Sequence, residues 1–444
     1  MSPNFCALRF RRHAAQTNWG LAPPDGCTRV FHAARNKCHH SLAHGIASRD
    51  IESAHQNLNR NWAAYQLKRH VPELLQPFTV WYARKVEHCW RSSSGGLYSV
   101  LSQRGLDQGD PIASAVFAVS TIEPADKLRQ ELQIHDPEAS VFQVADDVQV
   151  LTLTSLFEFA EQRSDHHWGP TGMRFKSSKD QCWSLNPSPI PSTRWQSKRL
   201  PRMRCLGPDL ETAEHVDPTA PVAPDFEAEA SAIDLEKAAT KITDLAGQLQ
   251  TTKSHGLRLQ MCAHLFRLGG ASLVQHLISA ETYNTERIAK FDLQLRNAWQ
   301  LLLGIPITDN AWRRGCLPFR LGGCSCGAIQ FRAPAAYLSA WSRTCEYACA
   351  HVGVASSRDL LVAVPGLQEE LEACAAELRP WTKPAQTIPW EFGEPPTVPK
   401  KQAAILHHIN GVLHARVLSQ CPLLWRPRGR ILPPVNERRG CPHD

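Results

Sequence analysis

The stretch "SVFQVADDVQVLTLT", Ser140 to Thr154, decides the fold. Val, Phe, Thr and Leu dominate it, and the acids Asp146 and Asp147 interrupt its middle, so it predicts a β-hairpin. A half-buried hairpin holds two adjacent negative charges poorly unless cations neutralise them. The plain alternative is a polar turn facing water. The sharper one is a divalent metal, because hard oxygen ligands suit Mg²⁺, and that chemistry calls for a further carboxylate from elsewhere in the chain.

Asp50 is the candidate. "HGIASRDIESAHQNLNR" runs from a short predicted strand, Gly45 to Ile51, straight into a helix, which puts Asp50 at a strand end. Carboxylates at two neighbouring strand ends can hold two metals about 4 Å apart, the arrangement that activates a 3′-hydroxyl and stabilises leaving pyrophosphate. Between these segments lies "RGLDQGDPIASAVFAVS", Arg104 to Ser120. Asp110 can cap a helix whose first position is Pro111. Ile112, Ala113, Ala115, Val116, Phe117, Ala118 and Val119 leave that helix almost no polar side, the pattern of burial all round. Gln108 and Gly109 stand at its mouth. Taken alone, the stretch is a capped core helix.

The chain has 444 residues, 15 cysteines and a formal net charge of +7. That length allows two or three domains with ample core. No stretch approaches the ~20 unbroken apolar residues of a bilayer span, and "MSPNFCALRFRRHAAQ" lacks a signal-peptide core, so no membrane partner is expected. The cysteines are scattered, which favours free thiols in a reducing, intracellular setting. The charge permits a polyanion partner without demanding one. "RFRRH", Arg9 to His13, is the most basic run, while Glu211 to Glu236 is mostly acidic.

From Asp50 to about Trp90 two helical stripes are predicted, Ile51, Ala54, Leu58, Trp62 and Tyr65, then Leu75, Phe78, Trp81 and Val86, separated by Pro72. Leu156 to Gln162 reads as helix and Gln181 to Leu185 as a short strand. Prolines recur from Pro187 to Pro224 and mark a boundary. Beyond it, Ile233, Leu235, Ala239, Ile242, Leu245 and Leu249 keep helical spacing, as do Ile288, Phe291, Leu295, Ala298, Trp299 and Leu302 before a stop at Gly304. One more helix is predicted near Gln402 to Leu418. "RLGG" at Arg267 and at Arg320 reads as a helix stop, and the Cys/His groups, such as "CSC" at Cys324 to Cys326, lack the paired spacing of a zinc knuckle.

In this order, "RDIESAHQNLNR", "GLDQGDPIASAVF", "VADDVQVLT", "GMRFKSSK" and "RCLGPDL" resemble the successive palm motifs of reverse transcriptases of non-LTR retrotransposon type. Flanking similarity, from "NWGLAPPDGCTRVFHAARN" to "CLPFRLGGCSCGAIQFRAPAAYLSAW", extends it to roughly residues 18 to 345. The resemblance implies an α+β fold: a polymerase palm, an antiparallel sheet backed by helices, then a helical thumb and a helical C-terminal extension. It divides the chain into a residual fingers segment (1–48), palm (49–210), Pro-rich acidic linker (211–225), thumb (226–304), helical extension (305–420) and disordered basic tail (421–444). It implies an RNA-directed DNA polymerase that adds dNTPs to a DNA primer on an RNA template with two Mg²⁺ ions, for which Mn²⁺ can substitute. Asp50, the Ile51 carbonyl, Asp146 and Asp147 would form the metal site; His55, Gln108, Gly109 and Lys179 would contact nucleotide and template. A nuclear setting follows from the family's way of life alone.

The sequence departs from the family in specific places. His55 replaces the aromatic that excludes a ribose 2′-hydroxyl, which puts sugar selection in question. Val144 replaces the Tyr or Phe before the alanine of the acidic motif. Few residues precede Asp50, so the fingers strands are expected to be short or missing. The competing expectation is therefore a truncated, inactive remnant that at most binds nucleic acid.

Overall fold

The computed structural model describes residues 26–107, 109–206, 209–211, 235–280, 284–330, 332–381, 406 and 409–416. Its architecture is α+β, mainly helical around a small antiparallel sheet. The chain enters helix α1 (Gly26–His40), turns into strand β1 (His44–Asp50), and continues through a short helix α2 (Ala54–Asn57), α3 (Arg60–His70) and α4 (Leu75–Tyr82). Strands β2 (Val86–Arg91) and β3 (Leu97–Ser102) form a separate hairpin. Helices α5 (Ala113–Ser120) and α6 (Ile122–His135) lead to β4 (Ser140–Val144) and β5 (Asp147–Leu153), followed by α7 (Phe157–Trp168) and β6 (Gln181–Trp183).

The four-stranded sheet has the order β4-β5-β1-β6. Alternation along β1 and β5 assigns its two faces. Val141, Val148 and Val150 join the core formed with α3, α5 and α6, while Ile46, Phe142, Leu151 and Trp183 join Val30, Phe31 and Ala34 of α1. Both faces are covered, so even the polar Ser48, Gln143, Gln149 and Thr152 of these strands are buried. A fully buried side chain such as Phe117 contributes roughly 2–3 kcal/mol of transfer free energy.

A short helix α8 (Thr193–Ser197) and the hairpin β7 (Arg202–Arg204) with β8 (Asp209–Glu211) follow. The helical second half begins with α9 (Leu235–Ser254), α10 (Leu259–Leu273), α11 (Leu277–Ala280) and α12 (Thr285–Leu303), which share one core containing Ile242, Phe266, Phe291 and Trp299. Gly304, at φ +75°, ends α12 as the sequence predicts. Then come α13 (Asp309–Cys316), α14 (Ala333–Val352), α15 (Ser357–Ala363) and α16 (Leu367–Leu378). α14 packs back along α1: Tyr337 and Trp341 meet the His32 ring edge-on, and Arg35 bonds Glu370 of α16 at 2.8 Å. Among the described residues no helix is long and apolar enough to cross a membrane.

Several local expectations need correction. The first helical stripe does not continue to Tyr65, which is exposed. Asn59 caps a new helix through Asn61 N and Trp62 N, which resets the phase so that Ala63, Gln66 and Leu67 face inward. Val86 opens a strand rather than closing a helix, and Trp81 is exposed. The "RLGG" at Arg267 lies inside α10, where Gly269 lets Leu245 of α9 pack close; only the second copy is a stop, at Gly322 with φ +77°. The buried helix starts at Ala113, two residues after Pro111, with Ile112 rather than Asp110 at its N-cap position and no side-chain cap bond. The interval 212–225 of the linker and the tail 421–444 lie outside the described residues, and of the helix near Gln402 only 406 and 409–416 fall within them.

Candidate active site

Register builds the site. β1 and β5 run antiparallel with Asp50 opposite Asp147, and Ile51 N donates to Asp146 O at 2.9 Å, closing the ladder at the hairpin turn. That turn has two residues, Ala145 and Asp146, with Ala145 at φ +51°, a left-handed conformation that tight hairpins require. Gln143 Nε2 secures it by donating to Ala145 O at 3.0 Å. Asp50 and Asp147 are half-buried and Asp146 is exposed. The neighbours of the two adjacent acids differ: Asp147 acts on the thiols of Cys27 and Cys205, after burial the next acidic influence on Cys205, whereas Asp146 acts on His55.

Arg49 anchors the strand from below. Facing away from Asp50, it is buried and bonds Ser164 Oγ at 2.6 Å, Asp165 Oδ1 at 3.0 Å and Asp180 Oδ1 at 3.3 Å, with its guanidinium 4.1 Å above the Phe175 ring. Asp180 is fully buried, so this pairing fixes the residue next to Lys179. The segment before it joins β1 as an extra rung, through Glu52 N to Arg174 O at 2.9 Å and Lys176 N to Asp50 O at 2.9 Å. A single 3₁₀ turn, Ser177–Lys179, then folds the lysine back over the strand end. Lys179 Nζ donates to Asp50 Oδ1 at 3.1 Å. That bond raises the lysine's pKa most, against desolvation, and the charges of Asp50, Asp146 and Asp147 all add to it. The three carboxylates therefore share one electrostatic neighbourhood with one cation.

The opposite wall is His55, on α2. Its ring stacks on Phe117 of α5 at 4.8 Å and 20°, and burial lowers its pKa, with Asp146 opposing. The glycine loop docks onto this helix: Gly105 N donates to Leu58 O at 2.9 Å and Leu106 N to His55 O at 2.7 Å. Gly105 has φ +72°, and a Cβ there would overlap the Gln56 carbonyl, so only glycine fits. Gly109 is exposed at φ +94°, and Gln108 lies outside the described residues. Asp110 does not cap the helix as expected: its Oδ1 accepts from Ile112 N at 2.9 Å in the turn before it, and its other oxygen accepts from Tyr82 OH. Beside the loop, Arg84, Lys85 and Arg104 line a cavity of about 650 Å³.

The donor set is all hard oxygen, the type magnesium takes. The carboxylate oxygens of Asp50, Asp146 and Asp147 do not converge within 4.8 Å of one another; among the described residues a different group does so, His44, Asp136 and Glu138. Ile51 is buried beside the turn, with its backbone bridged to Phe175. Sequence reading missed Arg49, Tyr82 and Phe175 as supports. Arg49 had a signal, a cation within a predicted strand; the other two are brought in by tertiary packing alone.

No known family profile matches the chain, and no curated protein matches it. Among solved structures it is similar to a telomerase from Candida albicans in complex with a fragment of telomeric RNA, at 10% identity and a TM-score of 0.37, over 78% of this chain and 57% of that one. It is also similar to an apo telomerase from Candida tropicalis, at 9% identity and a TM-score of 0.38, over 81% and 60%. The chain thus spans less than two thirds of either.

Proposed function

We propose that this chain is an RNA-directed DNA polymerase of non-LTR retroelement type, which adds dNTPs to a primer 3′-end. The observation that carries the reading is the strand register that sets Asp50 opposite Asp147 beside the Asp146 turn, with Lys179 Nζ 3.1 Å from Asp50 Oδ1 at the same strand end. The ordered resemblance of the surrounding motifs supports it independently.

In this reading Asp50, Asp146 and the Ile51 carbonyl would hold the divalent cations, with Asp147 completing the carboxylate set. Bound there, the cations would supply Lewis-acid activation of the 3′-hydroxyl and charge neutralisation at the phosphates. Lys179, bonded to Asp50, would pair with, or hand a proton to, the leaving pyrophosphate. His55, stacked on Phe117, would stand in for the aromatic that meets the sugar. Gly109, beside Gln108, gives the template base a side-chain-free surface. Arg84, Lys85 and Arg104 offer the template backbone a basic surface.

The test is extension of a DNA primer annealed to RNA, with dNTPs and Mg²⁺ or Mn²⁺, by the full chain and by Asp50→Asn. The reading expects extension by the former alone. Salt-sensitive hybrid binding with no extension under either metal would instead identify a remnant that binds without catalysis.

A further inference from the structure

At the opposite end of β1 from Asp50, about 20 Å away along the strand, lies a second group of potential ligands. We propose that His44, Asp136 and Glu138 form a zinc site that ties the α1–β1 corner to the connection between α6 and β4. The proposal is independent of the polymerase reading.

His44 is buried and its Nε2 has no hydrogen-bond partner. That atom lies 3.4 Å from Asp136 Oδ2 and 3.9 Å from Glu138 Oε2, and neither approach meets hydrogen-bond geometry. The three ligand atoms all lie within 4.8 Å of one another. Tetrahedral zinc with bonds near 2.0–2.1 Å needs ligand separations of about 3.3–3.4 Å, so small side-chain movements suffice. A nitrogen with two carboxylates favours zinc over magnesium.

The surroundings suit a ligating histidine. Nδ1 is 2.8 Å from Ser41 Oγ, which orients the ring and leaves Nε2 for the ion. Burial, then Lys37, lowers the imidazole's pKa, with Asp136 opposing, which favours the neutral ring a metal needs. Asp136 is held by Thr152 Oγ1 at 2.8 Å, Leu153 N at 3.1 Å and Glu138 N at 3.2 Å. Glu138 is half exposed, so water can reach the fourth position. Two features oppose the ion: Asp136 Oδ2 already accepts from Thr152 and Leu153, and Lys37 Nζ, buried, pairs with Glu138 Oε2 at 2.5 Å. With neutral His44 the group carries one net negative charge, and a cation would share Glu138 with this ammonium.

The experiment uses the full chain, stripped with chelator and titrated with Zn²⁺ and with Co²⁺ by calorimetry, absorption and thermal unfolding. One equivalent should bind and raise the unfolding midpoint, and the cobalt spectrum should show ligand-field bands without thiolate charge transfer. His44→Gln should lose binding at least a hundredfold. Lys37→Met, which removes the competing cation, should bind about tenfold tighter. No binding by the wild-type chain, thiolate charge transfer in the cobalt spectrum, or His44→Gln binding like wild type would each overturn the site. Should His44→Gln fail to fold, weaker binding by Lys37→Met would overturn it equally.

Discussion

Lys179 Nζ stands 3.1 Å from Asp50 Oδ1, so a cation already occupies the strand end that carries the acids. Lys179 is half exposed, and an exposed pair contributes at most about 1 kcal/mol to folding. Its value is therefore expected in catalysis rather than stability. Lys179→Ala should slow primer extension roughly 10²–10³-fold while thermal unfolding stays nearly unchanged. Equal extension rates would remove the lysine from the reaction.

Two glycines of one loop separate close packing from backbone strain. Gly105→Ala forces a methyl into the Gln56 carbonyl at a left-handed φ, whereas Gly109→Ala meets the same φ penalty with nothing nearby. Gly109→Ala should cost about 1–2 kcal/mol, and Gly105→Ala should cost clearly more and displace His55, whose carbonyl the next residue binds. Denaturant midpoints of the two variants decide it; a smaller loss for Gly105→Ala contradicts the docking.

His55 stacks on Phe117 but is narrower than a phenyl ring. Ribonucleotides should compete with dNTPs in the wild-type chain about tenfold better than in His55→Phe, the size of a contact of 1–2 kcal/mol. Identical discrimination in single-nucleotide incorporation assays would show that this wall does not sense the sugar.

Asp292 on α12 accepts from Ile329 N at 2.8 Å and Gln330 N at 2.9 Å, yet burial raises its pKa from 3.8 to about 6 despite those bonds. The folded state therefore binds more protons than the unfolded state between these values, and its stability from this group falls as pH rises. Wild type should gain up to ~3 kcal/mol relative to Asp292→Asn as pH drops from above 6 to about 4. Denaturant unfolding across that range checks the slope, and a flat difference contradicts it.

The elements around the carboxylates were legible because they obey alternation: β1, β5 and the acids between β4 and β5 fall where apolar residues stop. α9 and α12 were legible from their stripes, since Ile242, Phe291 and Trp299 face a single core. The hairpin of β2 and β3 was not, because Trp90, Leu97, Tyr98, Val100 and Leu101 are exposed and leave no inside-outside period to read. Tyr82 and Asp110 meet across 28 positions of chain, and His44 meets Glu138 across a longer gap. Neither pair leaves a local trace. Gly269 failed as a helix stop because a close neighbour, Leu245, gave it a packing role instead.

The central claim is that Asp146 sits in a metal-dependent nucleotidyl-transfer site, and one paired measurement tests it most directly. Primer extension on an RNA template and hybrid binding by anisotropy are followed side by side for wild type and Asp146→Asn, which removes the charge at an exposed turn. The account predicts extension by wild type with Mg²⁺ or Mn²⁺, at least a thousandfold loss in the variant, and binding retained in both. Wild-type binding without extension, or equal extension by both proteins, would contradict it.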